Sequence, residues 1–360
     1  MKTSALNDIH EQSGARMGEF AGWRLPIDYG SVISEVWAVR AAAGLFDVSH
    51  MGRLATTGGG VFAALQRLLT NDLSRLDDGG CQYTLMCRPD GGVIDDLIVC
   101  RESAQRYLAV VNASNHARDC SWISEHLPES VSMTDTTAQT SMLALQGPNS
   151  VRILAAAGMA EASEIGRFRL GAGRISHIEV MASRTGYTGE DGFEIMCDNS
   201  AAGDVWKALM SAGANYGLTR CGLAARDVLR IEAALPLYGH EIDEQTNPVE
   251  AGLTRFVKPE NKEFVGREAI VEVMRRGARR KLVGVRMAGR AIPRSGAAVI
   301  CEAGEGAVTS GTFSPTLGIG VAIAYMPPTA AAEAPVEVVV RGRAQPGSLC
   351  ALPFYTRRRA

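Results

Sequence analysis

Two adjacent carboxylates inside an apolar strand are the residues of this 360-residue chain most suited to chemistry. In Gly91-Gly-Val-Ile-Asp-Asp-Leu-Ile-Val-Cys100 a strand period of two puts Ile94, Asp96 and Ile98 on one face and Val93, Asp95, Leu97 and Val99 on the other. A carboxylate among apolar neighbours is costly unless it is paired, hydrogen-bonded or aimed into a site. A strand-edge charge in water accounts for Asp95 or Asp96 but less easily for both, so one of them is a candidate for catalysis or ligand binding.

Other clusters offer donors or room. Thr185-Gly-Tyr-Thr-Gly-Glu-Asp-Gly192 carries three glycines with Tyr187, Glu190 and Asp191, a density that suits a plain hairpin loop or the close approach of a ligand. It precedes a strand and lacks the lysine of a phosphate loop, so a phosphate cradle is disfavoured. Glu194 follows, alternating with Phe193 and Ile195. A helix over 223–235 puts Arg226 and Arg230 on one face, with Asp227 three residues before Arg230. This reads either as a surface ion-pair ladder or as an arginine fork for a carboxylate or polar heterocycle. Ser49 and His50 are neighbours that point apart on a strand, and no G-x-S-x-G frames the serine, so a Ser–His dyad is not expected. Gly14, Gly18 and Gly22 form no dinucleotide fingerprint, and Gly58-Gly-Gly60 reads as a flexible turn.

These residues need a mixed scaffold to position them. Helices are predicted over 31–43, 61–69, 115–127, 149–157, 202–212 and 223–235. Strands are predicted over 81–87, 93–100, 107–112, 142–146, 178–184 and 193–197, and the Arg88-Pro-Asp-Gly-Gly92 turn joins the first two as a hairpin. After Lys281 the pattern changes to short β-type segments at 282–287, 297–301, 307–310, 319–324 and 336–340, closely punctuated by Gly, Pro and Ser. The fold class is therefore α+β followed by a C-terminal β-barrel or sandwich, with a boundary at 275–281.

Composition bounds the partners. With 37 basic and 39 acidic residues the net charge is −2, which does not suit a protein whose main partner is a phosphate backbone, so no nucleic acid is expected. The basic clusters are Arg275-Arg276 with Arg279 to Lys281, which reads as a solvated helix end, and Arg357 to Arg359 at the tail. No apolar run approaches the ~18–20 residues of a bilayer span. The start of the chain has neither a signal core nor a transit pattern, and a cytoplasmic protein without a membrane span is expected. Eight scattered cysteines with no C-x-x-C read as reduced thiols, and six histidines without zinc-type spacing leave no metal expected.

Taken in order, Phe20-Ala-Gly-Trp23, Ala38-Val-Arg40, Gly44-Leu-Phe-Asp-Val-Ser-His-Met-Gly52, Thr70-Asn-Asp72, Gly91-Gly-Val-Ile-Asp-Asp-Leu97, Gln146-Gly-Pro148, Arg184 to Glu194, Gly222-Leu-Ala-Ala-Arg-Asp227, Asn247-Pro248 and Thr309 to Leu317 resemble the T-protein family of the glycine cleavage system. The resemblance spans nearly the whole chain. It implies two interleaved α+β folate-binding domains within residues 1–277, arranged as a cloverleaf with a C-terminal β-barrel domain at 278–360. The implied reaction moves an aminomethyl group from the lipoyl arm of an H-protein to tetrahydrofolate, releasing ammonia and forming 5,10-methylenetetrahydrofolate. On the same resemblance Asp96 is the catalytic aspartate, Glu194 and Arg226 hold the pterin, and Met51, Tyr83, Asn112, Tyr187 and Tyr238 line the pocket. Family members often carry an aromatic residue at the end of the D-D-L strand, where this chain has Cys100. Two alternatives share the fold: a tetrahydrofolate-dependent demethylase or methyltransferase of small methylated compounds, and a non-enzymatic folate-binding protein of the iron–sulfur assembly type. The lysine-glycine-cysteine-tyrosine run of the latter is absent from this chain.

Overall fold

A computed structural model describes residues 1–357. Two compact units are built from interleaved stretches of chain: 1–66, 73–84 and 97–226 in the first, and 67–72, 85–96 and 227 onward in the second.

The first unit holds a six-stranded sheet in the order Leu170–Ile175, Ile178–Ser183, Gly192–Asp198, Thr140–Gln146, Ala43–Asp47, Leu218–Arg220. Only the last pair is parallel. The central strands carry Leu143, Leu145, Phe193 and Ile195, all fully buried, and the helices Ser150–Ala156 and Ala202–Gly213 add Ile153, Leu154, Trp206 and Leu209 to the same core. Trp206 alone removes roughly 200 Å² from water, worth at most about 5 kcal/mol. A five-stranded antiparallel sheet runs Cys81–Cys87, Val93–Ser103, Arg106–Val111, Gly52–Gly58, Val131–Asp135, and a small N-terminal sheet pairs Trp23–Asp28 with Arg16–Phe20 and Lys2–Thr3.

The chain passes between the two larger sheets at 48–51 and again at 136–139. Both passages are pinned by Arg53, whose guanidinium is almost fully buried. Its Nε donates to Thr140 Oγ1 at 2.8 Å, Nη2 to the carbonyls of Thr137 and Thr140 at 2.7 and 2.8 Å, and Nη1 to the carbonyls of Ser49, at 3.0 Å, and Met51. All five donors of the fork are used, which satisfies loop carbonyls that would otherwise be buried without partners.

The second unit contains a closed six-stranded barrel, Lys281–Met287, Ile319–Met326, Gly304–Ser314, Ala298–Cys301, Pro335–Val340 and Arg343–Cys350. Val285, Val299, Ala324, Val338 and Leu349 fill it. Closure removes every exposed edge from this sheet.

The helices and strands read from the sequence are present, with ends within a few residues. The strand Ala43–Asp47 was not anticipated because all five of its residues are buried, so it has no alternation to detect. Arg343–Cys350 was hidden by Pro346 and Gly347, which read as turn residues. Arg275 and Arg276 do close a helix, Arg267–Arg276, where Arg275 pairs with Glu272 at 3.0 Å; Arg358 and Arg359 lie outside the described residues. The cysteines need a correction. Cys81 and Cys100 form a disulfide, with their Cα atoms 3.9 Å apart, while Cys87, Cys120, Cys197, Cys221, Cys301 and Cys350 are thiols. The hairpin expected from the Arg88–Gly92 turn carries Cys81 back beside Cys100, a consequence that the reading of scattered thiols did not draw. Among the described residues no helix is long and apolar enough to cross a membrane.

Candidate active site

The glycine-dense loop 185–192 is a hairpin loop, joining the antiparallel strands Ile178–Ser183 and Gly192–Asp198. It folds over the side chain of Gln146, the fully buried last residue of the strand Thr140–Gln146. Gln146 Nε2 donates to the Thr185 carbonyl at 3.1 Å, and Thr188 Oγ1 donates to Gln146 Oε1 at 2.9 Å. A Cβ on Gly186 would sit 2.0 Å from Gln146 Oε1, and one on Gly192 would sit 2.5 Å from Gln146 Nε2, so both positions need glycine for close approach. Outside the loop, Arg40 Nη1 donates to the Thr188 carbonyl at 2.7 Å and to Glu190 Oε1 at 3.0 Å, and Arg184 grips Asp191 with two hydrogen bonds of 3.1 and 2.5 Å. A loop held this way presents Tyr187 in a fixed place.

Arg226 lies over that tyrosine, its guanidinium carbon 4.8 Å from the ring centroid. The helix Leu223–Glu232 that carries it starts at Gly222, where a Cβ would lie 2.3 Å from the Ile27 carbonyl oxygen. The N–H of Gly222 donates to Glu35 Oε2 at 2.8 Å, and the N–H of Tyr29 to Glu35 Oε1 at 2.7 Å. Burial pushes the Glu35 carboxyl up, and these two donors oppose that shift. Arg226 is 9% exposed, and its Nη1 has no hydrogen-bond partner. Burial lowers its pKa, partly offset by the nearby Glu194 and Tyr187. A desolvated guanidinium with an unused donor is costly in isolation and suits a planar polar acceptor.

Glu194 stands on the strand Gly192–Asp198, opposite Ala144 and Ser183. Thr185 Oγ1 donates to its Oε2 at 2.5 Å, and the hydroxyls of Ser183 and Thr185 lie 2.7 Å apart. His50 belongs to the same group: it is buried, its Nδ1 lacks a partner, and burial together with the Arg226 cation pulls it down to about 3, so it is neutral at physiological pH. Its segment is held on one side by Arg53 and on the other by Asp47, which accepts from the Ser49 N–H at 2.9 Å, from Ser4 Oγ at 2.6 Å and lies 3.0 Å from His10 Nε2. Burial alone would raise the Asp47 carboxyl, but these bonds override it and hold it at about 2. Ser49 Oγ accepts from the Met142 N–H at 3.1 Å, a structural bond and not part of a dyad with His50.

The structure thus gathers Glu194, Arg226 and Tyr187, and adds His50, Gln146 and Arg53, which sequence reasoning did not select. Met51 directly follows His50, and its carbonyl accepts from Arg53. Tyr83 is half-buried on Cys81–Cys87, and Asn112 is half-buried just after Arg106–Val111, its carbonyl accepting from the Asn115 N–H at 3.1 Å. Asp96 and Tyr238 belong to the second unit. There the strand Val93–Ser103 starts with the Val93 N–H donating to the carbonyls of Asp243 and Thr246, at 3.1 and 3.2 Å, and Tyr238 Oη donating to the Val93 carbonyl at 3.3 Å. Asp95 is fully buried and Asp96 half-buried, the two-face division expected of this strand. A hollow of about 560 Å³ against Arg174, Glu179, Met181, Met196 and Asp198 contains none of these residues.

In the second unit Arg230 is saturated: Nε donates to Asp227 at 2.8 Å, Nη1 to Glu241 at 2.7 Å and Nη2 to Ser310 Oγ at 2.7 Å. Thr309 Oγ1 donates to Glu241 at 2.6 Å, and Ser314 and Thr316 donate to Glu232 at 2.5 and 2.9 Å. The hydroxyl-rich 309–317 segment therefore serves buried carboxylates, and of the two arginines on this helix it is Arg226 that has an unpartnered donor.

The interleaved α+β fold with a closed C-terminal barrel carries buried Arg226 and Glu194 beside the half-buried Tyr187, a set of groups chemically suited to a polar planar partner. Residues 6–261 match the family described as the GCVT N-terminal domain, and residues 280–356 match the glycine cleavage T-protein C-terminal barrel domain. An aminomethyltransferase of Moorella thermoacetica is 44% identical over 360 residues, covering 99% of this chain and 98% of its own. Another, of Halalkalibacterium halodurans, is 44% identical over 361 residues, covering 99% of each. The crystal structure of glycine cleavage system aminomethyltransferase T from Bartonella henselae matches with a TM-score of 0.91 at 34% identity, over 99% of both chains. The chain belongs to the glycine cleavage T-protein family.

Proposed function

We propose that this chain is an aminomethyltransferase that receives the aminomethyl carbon from the lipoyl arm of an H-protein and passes it to tetrahydrofolate, releasing ammonia and forming 5,10-methylenetetrahydrofolate. The observation that carries the folate part is Arg226, a buried cation over Tyr187 and near Glu194 with one donor unused. Glu194 and Arg226 would hold the pterin, the carboxylate accepting from its N–H groups and the guanidinium donating to its acceptors. Met51, Tyr83, Asn112, Tyr187 and Tyr238 are the proposed walls of the pocket. The reading also takes residues 278–360 as a separate domain and the cytoplasm as the compartment.

Asp96 is the proposed catalytic group. A half-buried carboxylate can accept a hydrogen bond from the attacking folate nitrogen, take up proton density from it and favour the cationic methylene intermediate. The enzyme must also keep water from that carbon, because hydrolysis would release it as formaldehyde. The test is a coupled assay with aminomethyl-loaded H-protein and tetrahydrofolate, following ammonia and methylenetetrahydrofolate. Asp96→Asn is expected to retain folate binding while turnover falls by roughly 100- to 10,000-fold. Unchanged turnover removes Asp96 from the mechanism, and no product from the parent protein with folate still bound rejects the H-protein donor.

A further inference from the structure

Away from Arg226, the first unit contains one cluster with metal-ligand chemistry. The helix His116–His126 sets His116 and Cys120 one turn apart on the same face, and Asp135, the last residue of the sheet-edge strand Val131–Asp135, completes the group. One ligand atom from each lies within 4.8 Å of the others, with His116 Nε2 2.9 Å from Asp135 Oδ2. Ligand atoms of a tetrahedral zinc site, with bonds of ~2.0–2.3 Å, stand about 3.3–3.8 Å apart. Shifts of about 1 Å convert the present arrangement into that one.

The surroundings hold these side chains in place. The Thr137 N–H donates to Asp135 Oδ1 at 2.9 Å, which fixes the carboxylate with Oδ2 toward His116. Thr137 Oγ1 accepts from the Arg53 N–H at 2.9 Å and stands 3.4 Å from His116 Nε2. The imidazole occupies space that a side chain at residue 52 would need, since a Cβ on Gly52 would be 2.7 Å from its Cδ2. Outer partners of this kind orient ligands and tune affinity.

We propose that His116, Cys120 and Asp135 bind one zinc-class divalent cation, with solvent as the fourth ligand. A thiolate with an imidazole selects zinc-like cations over magnesium or calcium, which take oxygen ligands. The His116 and Asp135 side chains are 20% and 38% exposed, which leaves an entry path and room for a water. On binding, Cys120 gives its proton to solvent. The sequence hid the site because His-x-x-x-Cys with one distant aspartate is not a cysteine-pair pattern. Bound there, the cation fastens the helix to the sheet edge.

The test uses untagged, chelator-treated full-length protein in a phosphine reductant, titrated with zinc by calorimetry and with cobalt by absorption. One zinc per chain, a cobalt–thiolate charge-transfer band and a zinc-dependent rise in melting temperature are expected. Cys120→Ser should abolish the band and weaken zinc binding by more than the roughly 10- to 100-fold that loss of an outer partner costs, while Cys301→Ser leaves both unchanged. Asp135→Asn, checked for native circular dichroism, should weaken zinc binding as well and guards against misfolding of the cysteine variant. No stoichiometric zinc, or zinc binding that survives Cys120→Ser and Asp135→Asn, overturns the site.

Discussion

Replacing Arg226 with methionine separates binding from stability. The guanidinium is 9% exposed and has an Nη1 without a partner, so the fold bears its desolvation without full compensation. Methionine retains most of the contact with Tyr187 and removes the charge. Stability is expected to change less than folate binding does, because losing an incompletely compensated cation is favourable while Glu194 loses its nearby opposite charge but keeps its hydrogen bond from Thr185. Tetrahydrofolate affinity should fall, because a hydrogen bond from a charged donor is worth about 1.5–3 kcal/mol, or about 10- to 150-fold in Kd. Arg226→Lys keeps a point charge but loses the planar fork, so its affinity should lie between the two. Calorimetric titration with tetrahydrofolate and chemical denaturation on the same samples provide the two numbers. Unchanged affinity in Arg226→Met, or a loss of stability as large as the loss of binding, would refute the assignment and make Arg226 a structural cation.

Gly186→Ala puts a methyl group 2.0 Å from Gln146 Oε1, and this overpacking should cost about 1–3 kcal/mol in a denaturant titration and weaken folate binding through Tyr187. Arg53→Lys strands carbonyls of both inter-sheet passages, and since an unsatisfied buried acceptor costs about 1–3 kcal/mol, a loss of at least that size is expected by chemical unfolding; no measurable loss would mean that water replaces the fork. His50 is held down at about 3, against 6.5 ordinarily, by burial and by the Arg226 cation. The unfolded chain therefore binds a proton that the native state refuses, so this contribution is complete above pH 6.5 and is lost as pH falls toward 3. Stability measured between pH 4.5 and 6.5 should decline with acid, and His50→Gln should flatten the slope by up to about 1.4 kcal/mol per pH unit.

Which parts of this site were legible follows from the range of the interactions that make them. The hairpin at Arg88–Gly92 and the helix carrying Arg226 are set by local turn chemistry and by a period that any window of sequence displays. The two faces of the Asp95-Asp96 strand were equally local, and the structure buries Asp95 fully and leaves Asp96 half-buried. The choice between Arg226 and Arg230 was not local. Arg230 is engaged by Glu241 and Ser310, 11 and 80 residues further along, so the ion-pair reading holds for it and the fork reading stays open for Arg226 alone. Arg53 was the least legible residue of all. Its partners are four backbone carbonyls and one hydroxyl, and a carbonyl is the same for every residue type, so nothing in the sequence marks where a buried guanidinium will find its acceptors. Gln146 left an indirect trace, since a side chain that a loop must close over forces glycine at each point of contact. The glycines at 186 and 192 were thus a record of Gln146 as much as of any ligand, Gly189 instead taking a left-handed φ of 81°, and only the fold could tell which.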